Sequence, residues 1–504
     1  MALPVRRATA KLEWLVLGGL ALLALPILIR PYTGDQSLYL LMADRLRHGA
    51  VLYRDVWEIK QPGLPIFFTL TSALAGGSAA GPHIGEFALL LAMAFALQRT
   101  VPLRSAWLRA CSPSAVIAPY LIDARAGDLT QLELLVSAPL YACLWATSAP
   151  EGNRSSRAWV RIATAGLCAG IVGLFKLAYL PMPLLMWVVA EYRRDSELLG
   201  RFKRGAQFFG WILLTWLPFL AYAEHYNLWT DLYDTWFVLP RSLSSLGGRP
   251  LGRLVTSVGG IATVLAPLLL LAIFGTVRRI RTRSFDVWVT NCFVWLVLAG
   301  LAVLTQSWWR YHFYIFVVPV GLLALDGLDA FVGTEPKSPA VNRILPIVIG
   351  LFSLLPIVDG SALWRHLVQS EFALRQSARD RFQSREDAYR GTVAAELTPR
   401  RAIDAPDGVF YFGNPELQRA AGDRLITAVH GWSPEFYTAP IWERLSNELQ
   451  RAHPSAVYVD SFSDPLIRKR GEPVQTWLDR SYRLRAQTPD GIWYLREPIP
   501  PTRG

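Results

Sequence analysis

Acidic side chains are scarce in this chain. Its 504 residues hold 39 Asp and Glu against 51 Lys and Arg, a formal net charge of +12. Cysteine is scarcer still. The four residues (Cys111, Cys143, Cys168, Cys292) all lie inside apolar stretches and form no Cys-x-x-Cys pair. That argues against a secreted-type disulfide framework and a cysteine zinc site, and leaves them as small buried hydrophobes. No HExxH spacing and no Gly-rich phosphate loop after a strand occurs, which removes the commonest zinc-hydrolase and nucleotide-binding readings. There is no internal repeat, the usual mark of a two-fold transporter. The basic residues never form a stripe with interleaved aromatics outside the flanks of apolar runs, so nucleic acid is not an expected partner.

What is abundant is apolar surface. Hydrophobic residues make up 52% of the chain, and apolar blocks of roughly 14–21 residues recur from Trp14 to Gly360, longer than core helices need. Several of the 19 tryptophans (Trp14, Trp107, Trp187, Trp229, Trp308, Trp309) stand near block ends, where an amphipathic ring suits the membrane–water boundary. The first block follows a basic start, MALPVRRATAK, and runs into Arg30-Pro31 without a small-residue cleavage site. It reads as an uncleaved first span in the lipid bilayer.

Arginine placement orders the spans, because short cytosolic loops collect Lys and Arg. Spans are expected at 14–30, 84–98, 107–122, 131–148, 206–223, 256–276, 287–305, 313–331 and 343–360. The segment 62–76 is short and opens on Pro62 and Pro65. It is expected as an interfacial helix, which keeps Arg99, Arg104 and Arg109 on the cytosolic side. The block 162–190 has Lys176 at its centre, where a lysine costs at least about 2.5–3.5 kcal/mol in a bilayer. Two short spans with Lys176 at their outer turn avoid that cost and return Arg193, Arg194, Arg201, Lys203 and Arg204 to the cytosol. The result is an α-helical polytopic membrane protein of about eleven spans.

From about residue 361 the composition changes. The segment 361–405 is charged and helix-like, GVFYFG (408–413), RLITAV (424–429), SAVYVD (455–460) and GIWYLRE (491–497) read as strands, and 434–452 reads as a helix. The expected division is a transmembrane domain over 1–360, with its first extracytoplasmic loop at 31–83, and a small α/β domain over 361–504, extracytoplasmic by parity.

Carboxylates concentrate in the first two outer loops. Asp35 precedes an amphipathic helix over about 37–48, and Asp55, Glu58 and Lys60 follow it. Asp123, Arg125, Asp128 and Glu133 occupy the second loop and its edge. Moving a sugar from a lipid phosphate needs a carboxylate to take the acceptor proton and cations to stabilise the departing phosphate. Simpler roles compete. Asp35 could cap its helix, Glu58 and Lys60 could be a surface ion pair, Glu133 a first-turn acid and Lys176 a snorkelling lysine. Arg310 and His312 could be interfacial anchors and His225 a structural residue at a span edge.

The order span, Gly34-Asp35-Gln36, amphipathic helix, then Tyr53-Arg-Asp55-Val-Trp-Glu58-Ile-Lys60-Gln-Pro62 resembles the first periplasmic loop of GT-C membrane glycosyltransferases, in particular the protein O-mannosyltransferase, aminoarabinose transferase and rhizobial galacturonosyltransferase group. Gly127–Glu133, Gly173–Lys176 and Trp309–Tyr314 resemble further segments of that group, in order, over about 14–332. Gln36 and Gln61 depart from its Asp-Glu and Lys-Pro-Pro patterns. The resemblance implies an inverting transferase in the bacterial inner membrane that takes a sugar from a polyprenyl-phosphate-linked donor to a periplasmic acceptor, whether lipid A or lipopolysaccharide, an envelope glycan or a protein. It implies Asp35 as general base, Glu133 or Asp123 as second carboxylate, and Lys60, Lys176, Arg310 and Arg125 on the donor phosphate, with Asp55, Glu58 and His312 in support. No cofactor is indicated, and a divalent cation between Asp35 and another acid stays open. The rival classes are a transporter or lipid flippase and a non-catalytic assembly protein of envelope polysaccharide synthesis.

Overall fold

The computed structural model describes residues 3–29, 32, 34–123, 129–148, 158–194, 197–241, 251–332, 398–413 and 415–497. The chain forms two compact units. One gathers Met1–Arg30, Pro82–Ala221 and Arg249–Ala373; the other gathers Pro31–Gly81, Tyr222–Gly248 and Leu374–Gly504.

The first unit is a multi-pass helical membrane assembly. Among the described residues seven helices are long and apolar enough to cross a bilayer: Thr9–Leu28, Gly81–Thr100, Ala158–Phe175, Leu198–His225, Leu251–Thr282, Val287–Leu304 and Arg310–Ala330. Only 17% of the apolar window of Leu198–His225 is buried within the protein. Phe202, Phe209, Leu213 and Leu217 face outward, a surface stable only where lipid covers it. The expected eleven spans are not all present as long helices. The 107–122 block breaks into Ala106–Val116 and Ala118–Asp123, with Pro113 inside the first piece, where it removes a helix hydrogen bond. The 131–148 block is the 17-residue helix Leu132–Ser148. The 343–360 block lies outside the described residues. The 162–190 block divides as expected: Ala158–Phe175 ends at Lys176, whose backbone is extended, and Pro181–Arg193 begins after one 3-10 turn.

Glycines let two long helices approach. A Cβ on Gly327 would lie 2.3 Å from the Leu271 carbonyl oxygen, and one on Gly275 would lie 2.5 Å from the Gly327 Cα. Small residues at such crossings replace the hydrophobic drive that lipid removes.

The arginine loops of this unit share one end. Arg99 pairs with Glu13 at 3.1 Å, and the backbone N–H groups of Arg104 and Ser105 donate to Asp329 at 3.1 and 2.9 Å. Arg279 pairs with Asp326 at 2.5 Å and Asp286 at 3.3 Å, and Arg193 donates to the Phe285 carbonyl at 2.7 Å. These contacts link the loops that arginine placement assigned to one side. Helix polarity then puts Glu133, Lys176, Gln306 and Arg310 at the opposite end. The four cysteines are free thiols, with Cys143 and Cys292 buried and Cys111 and Cys168 partly so.

The second unit is built on a four-stranded mixed sheet, order β1-β2-β4-β3, of β1 Val409–Phe412, β2 Ala456–Asp460, β3 Tyr482–Gln487 and β4 Gly491–Arg496. β1 and β2 are parallel, and β4 is antiparallel to both of its neighbours. One sheet face (Phe410, Phe412, Val457, Val459) packs on Trp442, Leu445 and Leu449 of the helix Ala439–Ala452 and on Trp477 and Leu478. Trp57, from the first loop, enters the same core. The segment 31–81 therefore packs with the C-terminal region. It contributes the helices Asp35–Arg47 and Gly63–Leu74; the latter, at 12 residues, is too short to span.

Two strand expectations change. RLITAV is irregular. Its backbone is taken by other partners: the Thr427 carbonyl accepts Arg45 at 2.7 Å, the Ala428 carbonyl accepts the Trp57 N–H at 3.0 Å, and the Val429 N–H donates to Glu448 at 2.9 Å. β3, YRLRAQ, was hidden by its arginines; it is an edge strand with one well-buried residue. Of the charged segment 361–405, only 398–405 is described, and it opens as a helical turn.

Candidate functional site

Each unit carries one acid–cation cluster. In the second unit the chain leaves Gly34 at φ +50 and enters the helix Asp35–Arg47. Gly34 holds the cap position, so Asp35 is a first-turn residue and not the N-cap. One Asp35 oxygen, Oδ2, accepts the Lys60 ammonium at 3.0 Å; Oδ1 accepts the Trp432 indole N–H at 2.6 Å. Lys60 also reaches the Tyr39 hydroxyl at 2.5 Å, and its own carbonyl accepts the Tyr53 hydroxyl at 2.9 Å. The loop that delivers Lys60 is thereby tied at its backbone and its side chain.

Glu58 is no surface partner of Lys60. It is buried and accepts the Lys60 backbone N–H at 3.0 Å. Burial pushes its carboxyl above the usual range, against the pull of Lys60. Asp55 accepts the Val51 N–H at 2.8 Å and pairs with Arg54, which holds its carboxyl below the usual range. It fastens its own turn.

Two titrating groups flank Asp35. Glu416 accepts the Gly34 N–H at 2.8 Å and is pushed by burial to about 7. His430, buried beside Trp57, is pushed by burial down to about 4. Glu416, raised above its unfolded value, lends stability at low pH that is lost as pH climbs through about 4.5 to 7; His430, depressed, costs stability as pH falls from 6.5 toward 4. Glu416→Gln removes the carboxyl's pH dependence and keeps an acceptor for Gly34. Relative to wild type, the variant gains on the order of 3 kcal/mol between pH 4.5 and 7, at about 1.4 kcal/mol per unit. Melting temperatures of the detergent-solubilised protein across that range check this, and a difference that stays flat with pH contradicts it.

In the first unit Lys176 donates to Glu133 at 2.9 Å and to the Gln306 side-chain oxygen at 2.8 Å. The Tyr179 hydroxyl donates to the same Glu133 oxygen at 3.1 Å, and the Lys176 ammonium lies 4.8 Å from the Tyr179 ring centre. Glu133 stands in the first turn of Leu132–Ser148, as expected, and is 1% exposed. Lys176 does not snorkel to open water; it is held by a carboxylate and an amide.

Arg310 lies over Gly260 of the helix Leu251–Thr282, where a Cβ would come 2.6 Å from its guanidinium. Its segment is fixed there by Arg253 stacked on Trp309 at 4.0 Å and by Ser257 donating to the Trp308 carbonyl at 2.9 Å. His312 is buried in the 3-10 stretch Arg310–Phe316, its ring edge-on to Tyr311. Asp123 ends the helix Ala118–Asp123, but its side chain, like Arg125 and Asp128, lies outside the described residues.

Sequence reasoning missed a buried cluster behind Glu133. Glu86, within an apolar span, accepts the Tyr120 hydroxyl at 2.6 Å and both the backbone N–H and the hydroxyl of Thr130 at 2.9 and 2.8 Å; His83 meets the Thr130 hydroxyl at 3.0 Å. Thr130 has φ +51, and Leu132–Ser148 starts two residues later. Glu86 thus anchors the turn that launches Glu133. The signal was present as one acid in an otherwise apolar run, which in a membrane is costly unless partners hold it. Trp432 and Glu416 gave no such signal, because nothing local ties them to Asp35. Among the described residues no group of three or more His, Cys, Asp or Glu side chains comes together as a metal site.

No family model and no curated protein matches the sequence. Solved structures do match the fold. ArnT from Cupriavidus metallidurans bound to undecaprenyl phosphate superposes with a TM-score of 0.60 at 13% identity, over 98% of each chain. The same protein in its apo state gives 0.58 at 14% identity, over 97% of this chain and 98% of that one. Over nearly its full length this multi-pass membrane chain therefore has the fold of ArnT, a GT-C aminoarabinose transferase.

Proposed function

We propose that the protein is an inverting glycosyltransferase that moves a sugar from a polyprenyl-phosphate-linked donor to an acceptor on the extracytoplasmic face of the bacterial inner membrane. The acceptor hydroxyl oxygen bonds to the anomeric carbon from the face opposite the phosphate. The anomeric C–O bond to phosphate breaks, polyprenyl phosphate leaves, and the hydroxyl proton passes to Asp35. In this reading Lys60, Lys176 and Arg310 keep the donor-phosphate roles that the sequence resemblance gives them, and Glu133 is the second carboxylate, orienting Lys176 by their 2.9 Å pairing. Arg125 and Asp123 keep the phosphate-binding and carboxylate roles that the sequence resemblance gives them. The arginine-rich end of the membrane unit faces the cytosol, and the acceptor class is lipid A, lipopolysaccharide, another envelope glycan or a protein.

The observation that carries the reading is the Asp35–Lys60 pair at 3.0 Å in a chain with the ArnT fold. The Cupriavidus ArnT structure is a complex with undecaprenyl phosphate. The direct test is binding of that lipid here. Undecaprenyl phosphate at a hundredfold excess over Kd should stabilise the purified protein by about 2.7 kcal/mol, seen as a rise of a few degrees in melting temperature. Undecaprenol, which has no phosphate, should give no rise. Equal shifts from the two lipids would mean that the cations do not read phosphate.

A further inference from the structure

We propose that Trp432 is a positioning residue for Asp35, so that the C-terminal region supplies part of the catalytic apparatus. This inference rests on the reading of Asp35 as general base. Trp432 lies 397 residues from Asp35, yet its indole N–H is 2.6 Å from Oδ1 while Lys60 holds Oδ2 at 3.0 Å. A carboxylate with one donor rotates about its side-chain bonds; one held at both oxygens by donors from two different segments has its plane fixed. A base with a fixed plane presents its lone pair to the acceptor hydroxyl without first ordering itself.

The structure builds Trp432 into place. It follows Gly431, whose hypothetical Cβ would fall 1.9 Å from the Tyr411 carbonyl oxygen, so this turn lies directly on β1. The Gly413 N–H donates to the Gly431 carbonyl at 3.1 Å, and the Trp432 N–H donates to His430 Nδ1 at 3.2 Å. On the other side Gly34 is the residue that lets the indole approach: a Cβ there would stand 3.3 Å from the ring. Glu416, from the helix Pro415–Ala421, takes the Gly34 N–H at 2.8 Å. The C-terminal region thus grips both the side chain of Asp35 and the backbone just before it. The sheet, its turn and the short helix are a frame whose projecting groups meet one carboxylate.

The test compares four proteins: wild type, Asp35→Asn, Trp432→Phe, and a chain with β-(3-benzothienyl)alanine at position 432. The last keeps the shape of the indole and lacks only its N–H. Activity is the rate at which membranes form the glycan species missing from a gene-deletion strain, followed by mass spectrometry from pH 5 to 9. Undecaprenyl phosphate binding and melting temperature are measured alongside. Asp35→Asn should be inactive. Both position-432 variants should bind undecaprenyl phosphate as wild type does and turn over roughly ten- to a hundredfold more slowly, with KM unchanged. Losing a donor from a carboxylate favours its protonated form, so the acid limb of their rate profiles should move to higher pH. A merely structural tryptophan would leave that limb in place. If Trp432→Phe melts early, the benzothienyl chain decides. Wild-type rate and pH profile in that chain, with Asp35→Asn inactive, overturns the role of Trp432; an active Asp35→Asn overturns the reading beneath it.

Discussion

Replacing Asp35 by Asn removes sugar transfer and spares the fold. Asn keeps a carbonyl oxygen for the Trp432 indole, and the ion pair it breaks is partly exposed, with side-chain accessibilities of 21% for Asp35 and 25% for Lys60. Such a pair adds little stability once solvent screens it. The melting temperature should therefore stay within a few degrees of wild type. Turnover should fall by at least about 100-fold, the contribution of a positioned general base. Undecaprenyl phosphate binding should persist, because the phosphate ligands are untouched. Substantial residual turnover would take the base role from Asp35, whatever the variant's stability.

The second large effect lies at Lys176. Its pair with Glu133 is buried on the acid's side, with 2% of the Glu133 side chain and 20% of the Lys176 side chain exposed. Removing one member leaves an uncompensated charge, and Lys176→Met or Glu133→Gln alone should cost about 3–5 kcal/mol. The double variant Lys176→Met/Glu133→Gln leaves neither charge and should be more stable than either single one. Undecaprenyl phosphate binding separates structure from function. It should be lost in Lys176→Met and stay lost in the double variant although stability returns, because the phosphate still lacks one of its cations. Recovery of binding with stability would make Lys176 a structural residue.

Part of this was legible in the sequence. Apolar length marked the seven long helices, and Lys176 in the middle of a long apolar block marked a helix break because a lysine cannot sit cheaply at the bilayer centre. Arginine placement grouped loops that the Arg99–Glu13, Arg193–Phe285, Arg279–Asp326 and Asp329–Arg104 contacts join at one end of the membrane unit. Asp35 and Lys60 were singled out from one loop, and the fold pairs them at 3.0 Å.

Long-range pairing was not legible. A surface ion pair of Glu58 with Lys60, two residues away, was one alternative; burial instead turned Glu58 to a backbone N–H, and Lys60 pairs with Asp35. RLITAV had strand composition, but its carbonyls bond to Arg45 and Trp57, which no local pattern reveals. Trp432 looked like one more tryptophan in a chain of 19. Its role depends on the fold bringing residue 432 to residue 35, and single-sequence periodicity carries no information about that.

Sugar transfer from a polyprenyl phosphate leaves its mark on the cell envelope. It is tested most directly by comparing lipid extracts and lipopolysaccharide masses among wild type, a gene-deletion strain, and a strain carrying Asp35→Ala. One glycan-bearing envelope species should lose a single-sugar mass in both mutant strains, while the polyprenyl-phosphate-linked sugar accumulates. Envelopes that match wild type in every glycan in both strains would contradict it.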